Sequence, residues 1–297
     1  MNIVTKRGSD ERADLAMRLG AQVKPAWVWV VLVLWLAVLL PRGGVASEAM
    51  HLPKQNWPFV GVFGQFDNAA LKRGVQVTVQ VCMACHSLKY IKFDRLRQFG
   101  FTEQEVKAFA ESQGRTKKDA MLSGMDPVLA KDSFGVVPPD LSLITKARKG
   151  YEDYVFGILT GYASESDVAL ARQVMADGHA ADGEVREAAI QLHLDPNHPE
   201  KIAETLKRIV DGGNYHKYFP GHFLAMPQPL ADGAVVYADG TENSKAQMAR
   251  DVVTFLAWAA EPTQTERKAL GFNVLLYLVV FTLMLYALKR RIWARVH

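Results

Sequence analysis

Cys82, Cys85 and His86 form a C-x-x-C-H pentapeptide that includes both cysteines of this 297-residue chain. Two cysteines three positions apart lie near one another on a helical turn, spaced to reach the two vinyl groups on one edge of a haem. The histidine that follows can place its imidazole under the iron. The spacing therefore predicts one covalently bound haem c, with Cys82 and Cys85 as the attachment points and His86 as the proximal ligand.

Three other interpretations of this motif stay open at this point. A thiol–disulfide protein needs C-x-x-C ahead of a helix in a strand–helix fold, and strand patterns are scarce in this chain. A structural zinc site needs four ligands, and the nearest second pair, His193 and His198, lies in an Asp/Pro/Asn-rich stretch typical of a loop. A haem protein with an open distal side would bind a small ligand there.

The ligand opposite His86 is less clearly marked. A methionine thioether would raise the reduction potential and block access to the iron, which is typical of an electron carrier. Met226 is favoured because it lies in a non-helical loop that nearby prolines stiffen, while His216 and His222 flank it as alternative ligands. The methionines that stay as alternatives are Met83, Met121, Met125, Met175 and Met248.

Two charge-free apolar runs lie near the ends of the chain. Residues 27–40 follow several basic residues and have the length of a signal-peptide core, so residues 1–46 are predicted to be a cleaved signal peptide, with a retained anchor as the alternative. Residues 269–288 are long enough to cross a hydrocarbon core of about 30 Å. The basic residues after this run are predicted to stay in the cytoplasm.

Charge separates the ends from the middle of the chain. The net charge of +4 is too small to favour nucleic acid as a partner. Residues 1–46 carry a net +3 and residues 266–297 a net +5, which leaves residues 47–265 at −4. An acidic exported domain suits a basic partner that binds and leaves quickly.

The region between the two runs is predicted to be mostly helical. Side chains suited to begin helices occur at Asp67 or Asn68, at Thr102 with Glu105, at Asp140 and at Ser244. Glycine or proline is expected to end three of these or neighbouring helices, at Gly150, Gly161 and Pro262. Residues 234–237 are the one candidate for a small hairpin.

Several longer segments, taken in order along the chain, resemble cytochrome c1, the haem-bearing subunit of the cytochrome bc1 complex. They are WPFVGVFGQFD, CMACHSLKYI, PPDLSLITKARKGYEDYVFGILTGY, YFPGHFLAMPQPL, DGTENSKAQMARDVVTFLAWAAEP and RKALGF. The resemblance covers most of residues 52–295. It implies a mainly α fold, a c-type cytochrome domain with long loops and an insertion, plus one C-terminal transmembrane helix.

The resemblance also implies roles for individual residues. Cys82 and Cys85 would hold the haem thioethers, His86 would be the proximal ligand and Met226 the distal ligand. Arg148 and Tyr154 would meet the haem propionates. A buried propionate needs a guanidinium or hydroxyl partner, so these residue types suit that role.

The activity implied is one-electron relay rather than catalysis by this chain alone. It would accept an electron from a Rieske iron–sulfur protein and pass it to a soluble or anchored cytochrome c. Cytochrome b would lie in the same complex, and membrane lipid would surround the anchor of residues 266–297 in a bacterial inner membrane, with residues 47–265 in the periplasm. The alternative is an anchored monohaem subunit of another respiratory complex, such as an oxidase or a nitric oxide reductase.

One stretch departs from the family pattern. Residues 163–213 stand where the family usually has a short connection, and they are predicted to form an insertion of two helical pieces. No further cysteine pair is available to brace the loop of Met226. The role of the insertion stays open.

Overall fold

A computed structural model of the chain describes residues 52–176 and 182–294, and the predicted signal peptide lies outside these residues. The fold is mainly helical, as expected. The helices of the first half are α1 Asn68–Gln80, α2 Glu103–Ser112, α3 Pro127–Phe134, α4 Ile144–Ala147 and α5 Tyr151–Thr160. Those of the second half are α6 Glu165–Ala176, α7 Asp182–Gln191, α8 Pro199–Val210, α9 Lys245–Ala260 and α10 Gln264–Trp293.

The main core forms where α1 and α9 pack against each other. Gly74 lies at the closest approach, because a Cβ at that position would come within 2.2 Å of the Asp251 carbonyl oxygen. Arg73, next to it, makes a two-pronged ion pair with the buried Asp251 carboxylate at 2.9 and 3.1 Å. A bidentate pair fixes orientation as well as distance, so it holds the two helices in one register.

The segment before α1 lies over this core, as predicted for residues 52–64. Trp57 and Phe59 are buried, although the chain around them forms only turns. The Trp57 indole N–H donates to Asp153 at 2.9 Å, at the start of α5. The segment thus connects α5 to the core.

Most predicted helix ends are confirmed. Asp67 caps α1, Thr102 and Glu105 form a capping box on α2, and Ser244 caps α9. Asp140 does not cap a long helix, and that prediction is wrong. Its carboxylate accepts from the backbone N–H of Ser142 and of Lys89, so it closes a turn, and only the short α4 follows.

The predicted hairpin at residues 234–237 is also wrong. That segment is irregular backbone between two turns, and the Asn243 side chain donates to its Val235 carbonyl at 3.0 Å. In the described part of the chain, the strands are instead β1 Leu88–Lys92 and β2 Ala120–Met121, which pair antiparallel. Short pairing across about thirty residues leaves little local pattern in the sequence.

The insertion contains three helices, α6, α7 and α8, rather than the two that were predicted. They enclose a small core of their own, formed by Ala171, Ala189, Leu192, Leu194, Ile202, Leu206, Ile209 and Tyr215. Helix α7 was missed because its sequence, DGEVREAAIQ, is short and largely polar. The insertion is therefore a second packed unit beside the main core.

Helix α10 is long and apolar enough to cross a membrane, and its charge-free run is exposed along its length. This helix fits the single-pass anchor predicted for residues 266–297. Residues 261–263 are the whole connection between α9 and α10. Glu261 in this connection pairs with Lys146 at 3.0 Å and with Arg267.

Candidate cofactor site

A cavity of about 560 Å³ opens beside the C-terminal end of α1. Its lining is largely apolar, and it includes all six residues singled out from the sequence, which are Cys82, Cys85, His86, Arg148, Tyr154 and Met226. The volume is within the range of about 300–1,000 Å³ that is usual for cofactor and ligand sites. The fold thus brings together positions that span almost 150 residues of sequence.

The wall that carries the two cysteines is built by local backbone hydrogen bonds. Helix α1 ends at Gln80, and residues Cys82–Ala84 tighten into a 3₁₀ turn. The Cys82 carbonyl accepts from the N–H of Cys85 at 3.1 Å and of His86 at 2.8 Å. The two cysteines form no disulfide, and burial raises the pKa of the Cys82 thiol to about 12.

The orientation of His86 follows from one hydrogen bond. Its Nδ1 lies 2.8 Å from the Pro139 carbonyl oxygen. A carbonyl can only accept, so Nδ1 carries the proton and Nε2 keeps its lone pair. Burial lowers the pKa of His86, which favours the neutral ring. This arrangement of one tethered and one free nitrogen is typical of a histidine that ligates a metal.

Another part of the lining carries Met226, between Ala225 and Pro227. The Tyr162 hydroxyl donates to the Met226 carbonyl at 2.9 Å and lies 3.3 Å from that of Pro227. Tyr162 itself is buried, and its ring packs edge-on against His216. The methionine loop is therefore held at its backbone by a side chain from the end of α5.

The alternative distal ligands lie outside the lining. His216 is fully buried rather than at the surface, with Nε2 2.9 Å from the Ile158 carbonyl and Nδ1 accepting from the Tyr218 N–H at 3.2 Å. His222 stacks on Tyr215 in the insertion core. Both nitrogens of His216 are thus engaged in hydrogen bonds.

Of the methionines weighed from the sequence, Met226 is the one in the cavity lining. Met83, Met121 and Met248 are fully buried in the main core. Met121 lies in β2, and its full burial makes it part of the main core.

Arg148 and Tyr154 contribute polar groups to a largely apolar lining. Arg148 follows α4 in extended backbone, and Tyr154 is in the first turn of α5. Burial raises the pKa of Tyr154, although the nearby Arg148 charge opposes the shift. A guanidinium and a phenol close to each other in the lining suit carboxylate groups on a bound molecule.

Two supporting groups were missed from the sequence. The Pro139 carbonyl orients His86 from fifty-three residues away, and Tyr162 holds the Met226 loop from sixty-four residues away. The Pro138-Pro139 pair was a usable signal, since prolines fix the course of the chain near a site. Nothing local marks Tyr162, because its partner becomes a neighbour only in the fold.

The residues present fit a haem. Two cysteine thiols that form no disulfide, an imidazole whose Nε2 keeps its lone pair, a thioether and a largely apolar lining with a few polar groups are what a c-type haem requires. Neither the zinc nor the dithiol interpretation explains why the thiols open onto a large apolar cavity.

Comparison with known proteins gives one consistent result. Residues 57–296 match the Cytochrome C1 family. Cytochrome c1 of Rhodospirillum rubrum is 37% identical over 276 residues, covering 86% of this chain and 93% of that protein. Cytochrome c1 2, heme protein, mitochondrial, of Arabidopsis thaliana is 34% identical, covering 84% and 74%. The cytochrome b-c1 complex catalytic subunit, mitochondrial, of Candida albicans is 34% identical, covering 84% and 79%.

Proposed function

The chain belongs to the cytochrome c1 family, and on this basis we propose that it is the haem-carrying electron-transfer subunit of a quinol–cytochrome c oxidoreductase. The observation that carries the proposal is one apolar cavity whose lining includes all six residues that were chosen from the sequence. When bound, the haem supplies one-electron chemistry through its iron. The chain supplies the attachment, the ligands and the surroundings.

Each residue of the cavity has a proposed task. Cys82 and Cys85 provide thioether links from one short turn, and His86 provides Nε2 to the iron. Met226 would supply the second ligand to the iron, and a His/Met pair raises the reduction potential. Arg148 and Tyr154 bind the propionates, where paired charge offsets the cost of burying carboxylates.

The apolar lining has a task of its own. Val155, Ile158, Val252 and Leu256 are among the side chains that exclude water from the cavity. In a low-dielectric site, an extra positive charge on the iron is costly, so burial favours the reduced state. The chain thus tunes the potential through both ligand type and burial.

The partners are proposed from the family and from charge. A Rieske iron–sulfur protein would donate the electron, a soluble or anchored cytochrome c would accept it, and cytochrome b would share the complex. Residues 47–265 carry a net −4, which suits steering of a basic acceptor. The bimolecular rate is then expected to fall as ionic strength rises, and a rate independent of salt would contradict steering.

The proposed location follows the charge pattern. Residues 1–46 would be removed as a signal peptide, residues 47–265 would lie in the periplasm, and α10 would cross the inner membrane with its basic end in the cytoplasm. Lipid would then surround the exposed apolar face of α10.

Covalent attachment is the first point to test. Mass spectrometry of the purified chain is expected to show the mass of one haem and no free thiol. Acidified acetone should leave the pigment on the protein. Two free thiols, or pigment lost to acetone, would overturn the proposal.

Ligand binding separates this proposal from the open-site alternative. A reduced His/Met iron is low-spin and resists carbon monoxide, whereas an open distal side binds it readily. Quinol-dependent reduction of cytochrome c in membranes then separates a bc1 subunit from an anchored subunit of an oxidase or a nitric oxide reductase. That activity is expected to be lost when the chain is deleted and restored when it is returned.

A further inference from the structure

The loop of residues 58–64, which we call the tip loop, exposes apolar side chains in an unusual way. Phe63 is 78% exposed, Val62 70% and Val60 57%, whereas Phe59 in the same loop is fully buried. Its sequence, PFVGVFG, contains no charged residue. An exposed apolar cluster of this kind marks a surface that contacts protein or lipid.

The tip loop is attached to the start of the anchor helix. The Lys268 ammonium donates to the Phe59 carbonyl at 2.7 Å and to the Gly64 carbonyl at 3.3 Å. These two carbonyls lie at the two ends of the exposed part of the loop. One cation therefore fixes the base of the loop against α10.

The apex of the loop also contacts α10. The rings of Phe63 and Phe272 are 5.9 Å apart and inclined at 64°, an edge-on arrangement. Residue 272 is four positions beyond Lys268, which corresponds to about 6 Å along the helix axis. It lies within the first turn of the charge-free run of residues 269–288. The base of the loop thus contacts the charged start of α10, and its apex contacts the beginning of the apolar run.

We propose that Val60, Val62 and Phe63 insert into the interfacial layer of the lipid bilayer beside α10. The proposal rests on α10 being the membrane anchor. Apolar faces of interfacial segments are buried about 5–10 Å into the headgroup and acyl boundary, which is the depth that Phe272 would have. The apolar surface of α10 continues directly into the tip loop, and this continuity favours lipid over a separate partner protein.

Gly61 allows the backbone turn at the apex of the loop. Its φ of +89° turns the chain, and no atom lies within 4 Å of the position a Cβ would take. The open space at Gly61 and the exposure of Val60, Val62 and Phe63 leave this side of the loop accessible from outside the protein.

Site-directed spin labelling tests the proposal on the full-length holoprotein in phospholipid nanodiscs. Phe63→Cys, Leu278→Cys and Val236→Cys would each carry a nitroxide, and the chain without an added cysteine would serve as the blank. Val236 is 79% exposed on a loop of the main domain and is the aqueous control. Leu278 lies in the middle of the charge-free run and is the control for the anchor. Collisions with oxygen and with a water-soluble nickel chelate then report depth.

The expected result is a graded series. The label at position 278 should be reached by oxygen and shielded from nickel, and the label at 236 should show the reverse. The label at 63 should lie between them, with nickel accessibility reduced at least threefold relative to 236. A Phe63 label as nickel-accessible as 236, with 278 still deep, would overturn the tip-loop proposal alone.

Two other outcomes are also decisive. If the label at 278 is itself reached by nickel, the proposed anchor is wrong and the tip loop falls with it. The same measurement in the assembled complex distinguishes lipid from a protein cover. A label at 63 shielded from both reagents there would overturn the proposal in favour of contact with another subunit.

Discussion

The two sides of the cavity are built in different ways. The side with Cys82, Cys85 and His86 is formed within five residues, and the Cys82 carbonyl organises its backbone. The Met226 side depends on contacts between distant residues, through Tyr162 at the end of α5 and His216 beyond the insertion. The first can be recognised from a pentapeptide, whereas the second exists only in the assembled fold.

This difference suggests that one part of the lining governs cofactor binding and the other governs the reduction potential. Under the proposed function, attachment and the first ligand reside on the local side, which would therefore determine whether a cofactor is bound at all. Under the same proposal, the distant side would determine how firmly Met226 is held as the second ligand, and so it would influence the potential. We expect substitutions at Cys82, Cys85 or His86 to abolish electron transfer. Substitutions at Met226 or Tyr162 are expected to reduce it or to shift the potential.

The largest effect is expected for His86→Ala. Loss of the proximal imidazole should remove the low-spin spectrum and reduce quinol-dependent reduction of cytochrome c to background, because the iron would lose one of its two protein ligands. Optical spectra and turnover in membranes measure this. His198→Ala, at an exposed position in the insertion, should leave both unchanged. A normal spectrum in the His86 variant would show that another residue is the ligand.

Met226→Leu should have the next largest effect. The pigment should stay attached, but the sulfur–iron band at the near-infrared edge of the oxidised spectrum should vanish. The potential should fall by about 0.2 V, a part of the roughly 0.8 V range that axial ligands span. Met248→Leu is the matched control, because Met248 is buried in the core away from the cavity. An unchanged band in the Met226 variant would contradict this assignment.

Tyr162→Phe should produce a graded change on the same side. Removing the hydroxyl leaves the Met226 carbonyl without its donor, at a cost of about 1 kcal/mol. The sulfur–iron band should persist at low temperature and be lost on warming several degrees below the parent protein. Tyr215→Phe removes a hydroxyl that donates to Leu192 inside the insertion. If both variants lose the band equally, Tyr162 has no specific role at the methionine.

Acid should have the smallest effect, and it should act on the insertion first. Burial opposes ionisation of Asp167, but hydrogen bonds from Ser164 and Lys217 outweigh it and lower its pKa. Its stabilising contribution is therefore complete above the unfolded pKa of about 3.9 and is lost as pH falls through the folded value. Hydrogen exchange should show α6 loosening in this range before α1 and α9.

Asp167→Asn tests the origin of that acid response. It should remove the pH dependence and lower the stability of the insertion near neutral pH by about 1–3 kcal/mol, because Lys217 loses its partner. Glu204→Gln, at an exposed position of α8, is the matched control and should change little. An identical pH response in the Asp167 variant would place the sensitive group elsewhere.

Features that depend on residues close together in the sequence were predicted correctly. The caps at Asp67, Thr102 and Ser244 were correct, since a cap and its helix are neighbours in the chain. Asp140 was misjudged, because its carboxylate is used by Lys89, fifty-one residues away. The strands and the Tyr162 contact were missed for the same reason, since their partners are distant in sequence.

The short connection of residues 261–263 has a consequence for how electrons could travel. Glu261 in it is paired on both sides, to Lys146 of the main domain and to Arg267 of α10. A three-residue connection with ion pairs on both sides restricts rotation of α10 relative to the main domain. If α10 spans a bilayer, the cavity would keep a fixed distance from the membrane plane and a fixed orientation relative to it. Shuttling would then fall entirely to the donor and acceptor, which must come to this stationary relay and depart from it.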